Sequence, residues 1–155
     1  MTVVVDKLLP IPISGRSKES DMLAAMFSEA KAYLLSFPWS KEISRSYLGA
    51  GVGGVVAAFL FEFDLPIGSK DSQIWVVVGD VPSAYFVVDH APDGASALDT
   101  YCDLMEDWSN GVLEQSSLDD VFPVEALATS ENAKMLKSRV EFIRERIIPS
   151  LRGEA

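Results

Sequence analysis

The sequence predicts an α+β fold: an antiparallel meander of three to four strands, with an N-terminal helix and two C-terminal helices packed on it. Three observations lead there. Apolar residues recur at helical spacing at both ends of the chain, the middle alternates with a period of two, and the order α, β, β, β, α, α lacks the strand–helix alternation of a parallel sheet. With 155 residues, 48% of them hydrophobic, a single domain over 1–155 can bury roughly 70% of the surface its unfolded chain exposes. No disulfide or structural metal is needed to complete such a core.

Residues 1–16 read as an extended entry segment, a β-like run (Val3, Val4, Val5) followed by the breakers Pro10, Pro12, Ser14 and Gly15. A helix is expected over 17–37. Ser17 is its N-cap, Glu19 sits in the first turn, and Leu23, Met26, Phe27, Ala30, Tyr33, Leu34 and Phe37 form the stripe that Pro38 ends. The antiparallel sheet is placed over 43–89. Ile43 to Leu48 is its weaker strand, and Val55, Ala57, Phe59, Phe61 and Phe63 occupy one face of the next. Ile74–Val78 and Ala84–Asp89, joined by Gly79-Asp80-Val81-Pro82-Ser83, form a hairpin, and its second strand, apolar on both sides, is placed centrally in the meander. The remainder, 92–149, reads as helical. Pro92 and Asp93 open a helix striped by Leu98, Tyr101, Met105, Trp108 and Val112, which Gly111 weakens near its end. Ser116 to Pro123 is a connector with a helical turn around Leu118; the last helix opens at Thr129 or Ser130 and closes at Pro149.

Composition narrows the function. A formal net charge of −10 argues against an unassisted hold on nucleic acid or an anionic membrane. The longest apolar stretch, Tyr47 to Phe61, is rich in glycine and shorter than the roughly 20 residues a spanning helix needs. A lone Cys102 excludes an intramolecular disulfide, Asp6 and Lys7 interrupt the N-terminal apolar run before it can resemble an export signal, and a cytoplasmic location is expected. The charge is also uneven. Met1–Lys70 holds 7 acidic and 7 basic residues, Asp71–Ala133 holds 13 acidic and none basic, and Lys134–Ala155 holds 3 acidic and 6 basic.

On a helix at about 100° per residue, Asp99, Asp103, Glu106, Asp107, Asn110 and Glu114 share an arc of roughly 100°, opposite the apolar stripe. Asp99/Asp103 and Asp103/Asp107 repel at i,i+4, so stability alone would not select this face. Three readings stay open: a solvated face or one paired internally with Lys134, Lys137, Arg139, Arg144 and Arg146; a docking face for a basic partner, extended by Asp119 and Asp120; or a hard-cation site on Asp103, Glu106 and Asp107.

Other constellations are less developed. Gly49-Ala50-Gly51-Val52-Gly53-Gly54 matches G-x-G-x-x-G, but a period-two run follows it, leaving no room for the helix that would hold a pyrophosphate. The cluster reads as a turn, a bulge or a close backbone approach. His90 and Cys102 could form a nucleophilic pair oriented by Asp89 or Asp99, although Cys102 lies at the edge of the apolar stripe, where a thiol acts as a small hydrophobe. Glu62 and Asp64 share a strand face where two carboxylates could divide acid and base roles. Trp39 is a candidate contact residue beside Pro38. No cofactor motif, zinc-ligand set, G-x-S-x-G or H-E-x-x-H is present.

The segment Ile74–Phe86, with the acidic helix that ends near Trp108, resembles a pattern of small uncharacterised bacterial proteins. In size, charge and lack of catalytic motifs the chain is similar to bacterial immunity proteins, which occlude toxins, and to acidic secretion chaperones. The resemblance carries over no site residues; the 13-to-0 charge block itself points to a non-enzymatic cytosolic binding module whose partner-binding residues are Asp99, Asp103, Glu106, Asp107, Glu114, Asp119 and Asp120, facing a basic protein such as a toxin. The alternatives are a chaperone-like homodimer gripping an apolar effector segment and a small enzyme using His90 with carboxylates or Cys102.

Overall fold

The computed structural model describes residues 9–10, 17–38, 42–63, 73–88 and 91–153. Its order is β1 (Leu9–Pro10), α1 (Lys18–Leu35), β2 (Ile43–Val52), β3 (Val56–Phe63), β4 (Gln73–Gly79), β5 (Ala84–Val87), α2 (Gly94–Leu113) and α3 (Ser130–Phe142). A π-helical turn (Ile143–Ile147) and α4 (Ile148–Leu151) complete it. The sheet runs β1-β2-β3-β4-β5 with every neighbouring pair antiparallel, the α+β meander that the alternation predicts. Val3–Val5, Trp39, Asp64, Asp89 and His90 lie outside the described residues.

Alternation along β3 sorts the core into two layers. Ala57, Phe59, Phe61 and Phe63, with Ile74, Val76 and Val78 of β4, meet Leu23, Met26, Ala30 and Leu34 of α1. Val56, Ala58 and Leu60, with Trp75 and Val77, meet Leu98, Tyr101, Met105 and Trp108 of α2, behind which α3 contributes Ala133, Leu136 and Val140. The helices thus divide between the two faces of the sheet. That division is why β3 is buried on both sides, with only Glu62 partly exposed.

Two placements differ from the sequence reading. Ala84–Val87 is an edge strand, not a central one. It is apolar on both faces because Tyr85 packs against Phe37 (4.9 Å between ring centroids) and Phe122 (5.8 Å), while Phe86 joins the α2 layer. The strand read as weaker, β2, is the longest at ten residues and continues through the glycine run to Val52. Its pairing with β3 shifts between Leu48 and Ala50, and the chain reverses at Gly53-Gly54, where Gly54 adopts φ +78°. Gly49 provides the close approach: a Cβ there would lie 2.5 Å from the Trp75 ring, and one on Gly94 only 2.1 Å from the Gly49 carbonyl oxygen. Backbone contact between α2 and β2 thereby fixes the first turn of α2.

Helix ends follow their side chains. Ser17 caps α1 in a reciprocal pair with Ser20, Asp93 accepts from Ser96 N–H (2.8 Å) to cap α2, and Thr129 caps α3. The final helix runs beyond Pro149 to Leu151. Pro149 has no N–H to donate and its ring would crowd the carbonyl four residues back. The chain accommodates it by widening into the π turn just before, where Ile148 N–H bonds to the Ile143 carbonyl.

Candidate functional site

The acidic residues singled out in the sequence do share the outer surface of α2, because its buried stripe (Leu98, Tyr101, Cys102, Met105, Trp108) turns the opposite arc outward. Asp103, Asp107 and Glu114 are exposed, and Asp99 and Glu106 are half-exposed. Of the five cations of the last helix, one forms ion pairs with its carboxylates. Arg144, carried by the π turn, points its guanidinium at three carboxylates: Nη1 lies 2.9 Å from Glu106 Oε2, Nε 3.7 Å from Asp99 Oδ1, and Nη2 bonds to Asp103 Oδ1. Lys137 Nζ donates to Asn110 Oδ1 at 2.8 Å on the same arc of α2, and Arg139 meets Asp80 at 3.2 Å across to the β4–β5 turn.

One guanidinium among three carboxylates leaves a net charge of −2 at that point. The Asp103 carboxyl is held above the ordinary carboxylate range by desolvation and by Asp99, Asp107 and Glu106, which together outweigh Arg144. Farther along, Asp107, Glu114, Asp119 and Asp120 have no ion pair among the described residues. The last turn of α2 carries no basic residue, so these acids add to the negative end of its dipole. The connector folds back on this end. Leu118 packs over Gly111, where a Cβ would lie 2.7 Å from its Cδ2, and Ser116 N–H bonds to the Gly111 carbonyl at 2.9 Å. Gln115 makes that reversal at φ +55°.

The chemistry open to this surface is recognition of cations. Among the described residues no group of three or more His, Cys, Asp or Glu side chains is set to hold a metal ion; Arg144 occupies the space between Asp103 and Glu106. Cys102 is fully buried, its Sγ 4.0 Å from the Val140 carbonyl oxygen, and burial pushes the thiol up to about 12. It stays protonated at neutral pH and cannot serve as a nucleophile there. Glu62 is engaged by Gln73 Nε2 at 2.8 Å. Within the glycine run, Gly49 faces the Trp75 ring and the Gly94 backbone, Gly51 faces Leu23 and Ala57, and Gly53 faces Glu19 and Met22; a hollow of about 370 Å³ beside Gly49 is bordered by Gly94 and Arg152. The sequence names Arg144 only as one of five cations able to pair with this face; its selection depends on the π turn before Pro149, which sets where its side chain projects.

No family model matches the chain, and no curated protein and no solved structure matches it either. No helix among the described residues is long and apolar enough to cross a membrane.

Proposed function

We propose that this chain is a non-enzymatic cytosolic binding module that docks a basic protein surface onto the outer face of α2 and the loop after it. An immunity protein occluding a basic toxin is the most concrete form. The observation that carries the reading is the charge left after internal pairing: Arg144 offsets part of Asp99, Asp103 and Glu106, while Asp107, Glu114, Asp119 and Asp120 stay exposed without an ion pair among the described residues. Acids unpaired at the negative end of a helix cost stability, and a cationic partner converts that cost into attraction.

Capture from native lysate on the immobilised chain tests this. A partner should bind quickly, elute with moderate salt, and be lost when Asp107, Glu114, Asp119 and Asp120 are changed to Asn or Gln. Changing Asp99, Asp103 and Glu106 should weaken capture less, because Arg144 already offsets them. Partner capture unchanged by both sets sinks the acidic surface as the interface.

A further inference from the structure

The outer face of α3 has a pattern that the acidic α2 surface does not explain. Lys134, Met135, Ser138, Glu141 and Phe142 are all exposed, Met135 at 46% and Phe142 at 51%. At about 100° per residue they share an arc of roughly 120° with Ser138 near its middle. The apolar pair lies on one side of Ser138 and the charged pair on the other. Each pair is also spread along the axis: Lys134 and Met135 lie about 6 and 4.5 Å before Ser138, Glu141 and Phe142 about 4.5 and 6 Å after it.

That arrangement is self-complementary. A twofold axis beside Ser138 sets a second α3 antiparallel against the first and keeps each side of the helix facing its own counterpart. Met135 then meets Phe142 of the second copy and Lys134 meets Glu141 of the second copy, and each contact occurs twice by symmetry. Ser138, the small residue at the crossing, lets the helices approach to the 8–10 Å of ordinary helix packing. Beside Met135 and Phe142 are two hollows between α3 and the β4–β5 turn, about 120 and 320 Å³, both bordered by Asp80, Val81 and Arg139. They give the apolar side chains of the second copy somewhere to enter. At the rim, Glu131 comes level with Glu145 and Arg146 of the second copy, one repulsive and one attractive neighbour.

We propose that the chain forms a twofold homodimer through the outer face of α3, with Lys134–Glu141 and Met135–Phe142 as its reciprocal contacts. Charge decides the occupant: a chain of net charge −10 repels its copies over most of its surface, whereas each end of this contact sets the bases Lys134 and Arg146 among the acids Glu131, Glu141 and Glu145, an excess of one acid. Added salt therefore strengthens this association by screening the long-range repulsion, the opposite of its effect on docking at α2. The two proposals fail separately.

Sedimentation velocity across low to high micromolar concentration tests the dimer, with circular dichroism confirming that each variant is folded. Wild type should move from monomer to dimer, at lower concentration as salt rises. Phe142→Asp should remain monomeric. Lys134→Glu and Glu141→Lys alone should each raise the dissociation constant about tenfold, and the double variant K134E/E141K should restore dimerisation, because the pairs re-form with exchanged signs. A wild type that stays monomeric, a dimer indifferent to Phe142→Asp, or a double variant no better than the singles overturns the proposal. So does capture of a foreign apolar segment on this face by a chain that never self-associates.

Discussion

Replacing Arg144 by Met isolates the charge that holds the last helix against α2. Methionine keeps an unbranched apolar stem of similar length, so the packing of Ile143, Ile147 and Ile148 in the core is preserved while the guanidinium is removed. The side chain is 30% exposed and its partners Asp99, Asp103 and Glu106 are 49%, 68% and 42% exposed, so each contact is a partly solvated ion pair. Such pairs contribute about 0.2–1 kcal/mol each. Three that share one cation, and that leave behind carboxylates repelling at i,i+4, amount to about 1–2 kcal/mol at low salt. Urea denaturation of wild type and Arg144→Met, at low and at high sodium chloride, measures this. The difference should shrink by more than half in high salt, because screening weakens the attraction in one protein and the repulsion in the other. Arg146→Met, which removes the same charge from a residue with no ion pair among the described residues, should leave stability nearly unchanged. An Arg144→Met loss that equals that of Arg146→Met, or that persists in full at high salt, refutes the electrostatic account.

Four further outcomes follow from the same geometry. Gln115→Gly should stabilise the chain by about 0.5–1 kcal/mol, seen as a higher urea midpoint, because φ +55° at the end of α2 costs a side-chain-bearing residue what glycine avoids. Gly94→Ala should destabilise by roughly 1–3 kcal/mol despite alanine's better helix propensity, since its Cβ would lie 2.1 Å from the Gly49 carbonyl oxygen and α2 would have to retreat from β2; an equal or higher midpoint contradicts this. Cys102, with its thiol pushed up to about 12, should react with a disulfide reagent at mildly alkaline pH only as fast as the chain opens, and fast labelling of the native protein would show otherwise. The Asp103 pKa is raised on folding, so the folded chain binds that proton more tightly and stability falls as pH rises through the window above the ordinary carboxylate value. Asp103→Asn should accordingly raise the melting temperature at neutral pH, with the gain shrinking on acidification.

Much of this architecture can be read in the chain because local period and tertiary burial agree. The alternation in Val56–Phe63 separates residues that end on opposite faces of β3, and the Leu98–Tyr101–Met105–Trp108 spacing orients α2 well enough to place its acids outward. Elements that escape the local signal depend on partners distant in sequence. Glycine has low strand propensity, so the second half of β2 is a strand only because β3 pairs with it and because Trp75 and Gly94 fill the space at Gly49 and Leu23 and Ala57 the space at Gly51. β5 reads as central because it is apolar on both faces, but its cover comes from Phe37 and Phe122 rather than from further strands. The acidic surface is legible to the same degree. Its position follows from α2 alone, whereas the choice of Arg144 among five cations follows from a π turn that only the packing of the last helix reveals.

That choice determines how the two surfaces relate. The basic-free block from Asp71 to Ala133 and the basic tail after it are adjacent in space, and a general neutralisation would have left the molecule without a strongly charged face. Instead the tail spends its cations on separate tasks: Arg144 on the middle of α2, Arg139 on Asp80, Lys137 on Asn110, and Lys134 on the open side of α3. The C-terminal end of α2 and its loop stay negative, while the exposed face of α3 becomes the place where acid and base are interleaved with apolar side chains. Salt therefore acts in opposite directions on the two faces, weakening capture of a basic partner on α2 and favouring self-association through α3. A single salt titration that follows both partner capture and sedimentation separates them. If the two responses move together, one surface serves both contacts and the division of the molecule into two independent faces is wrong.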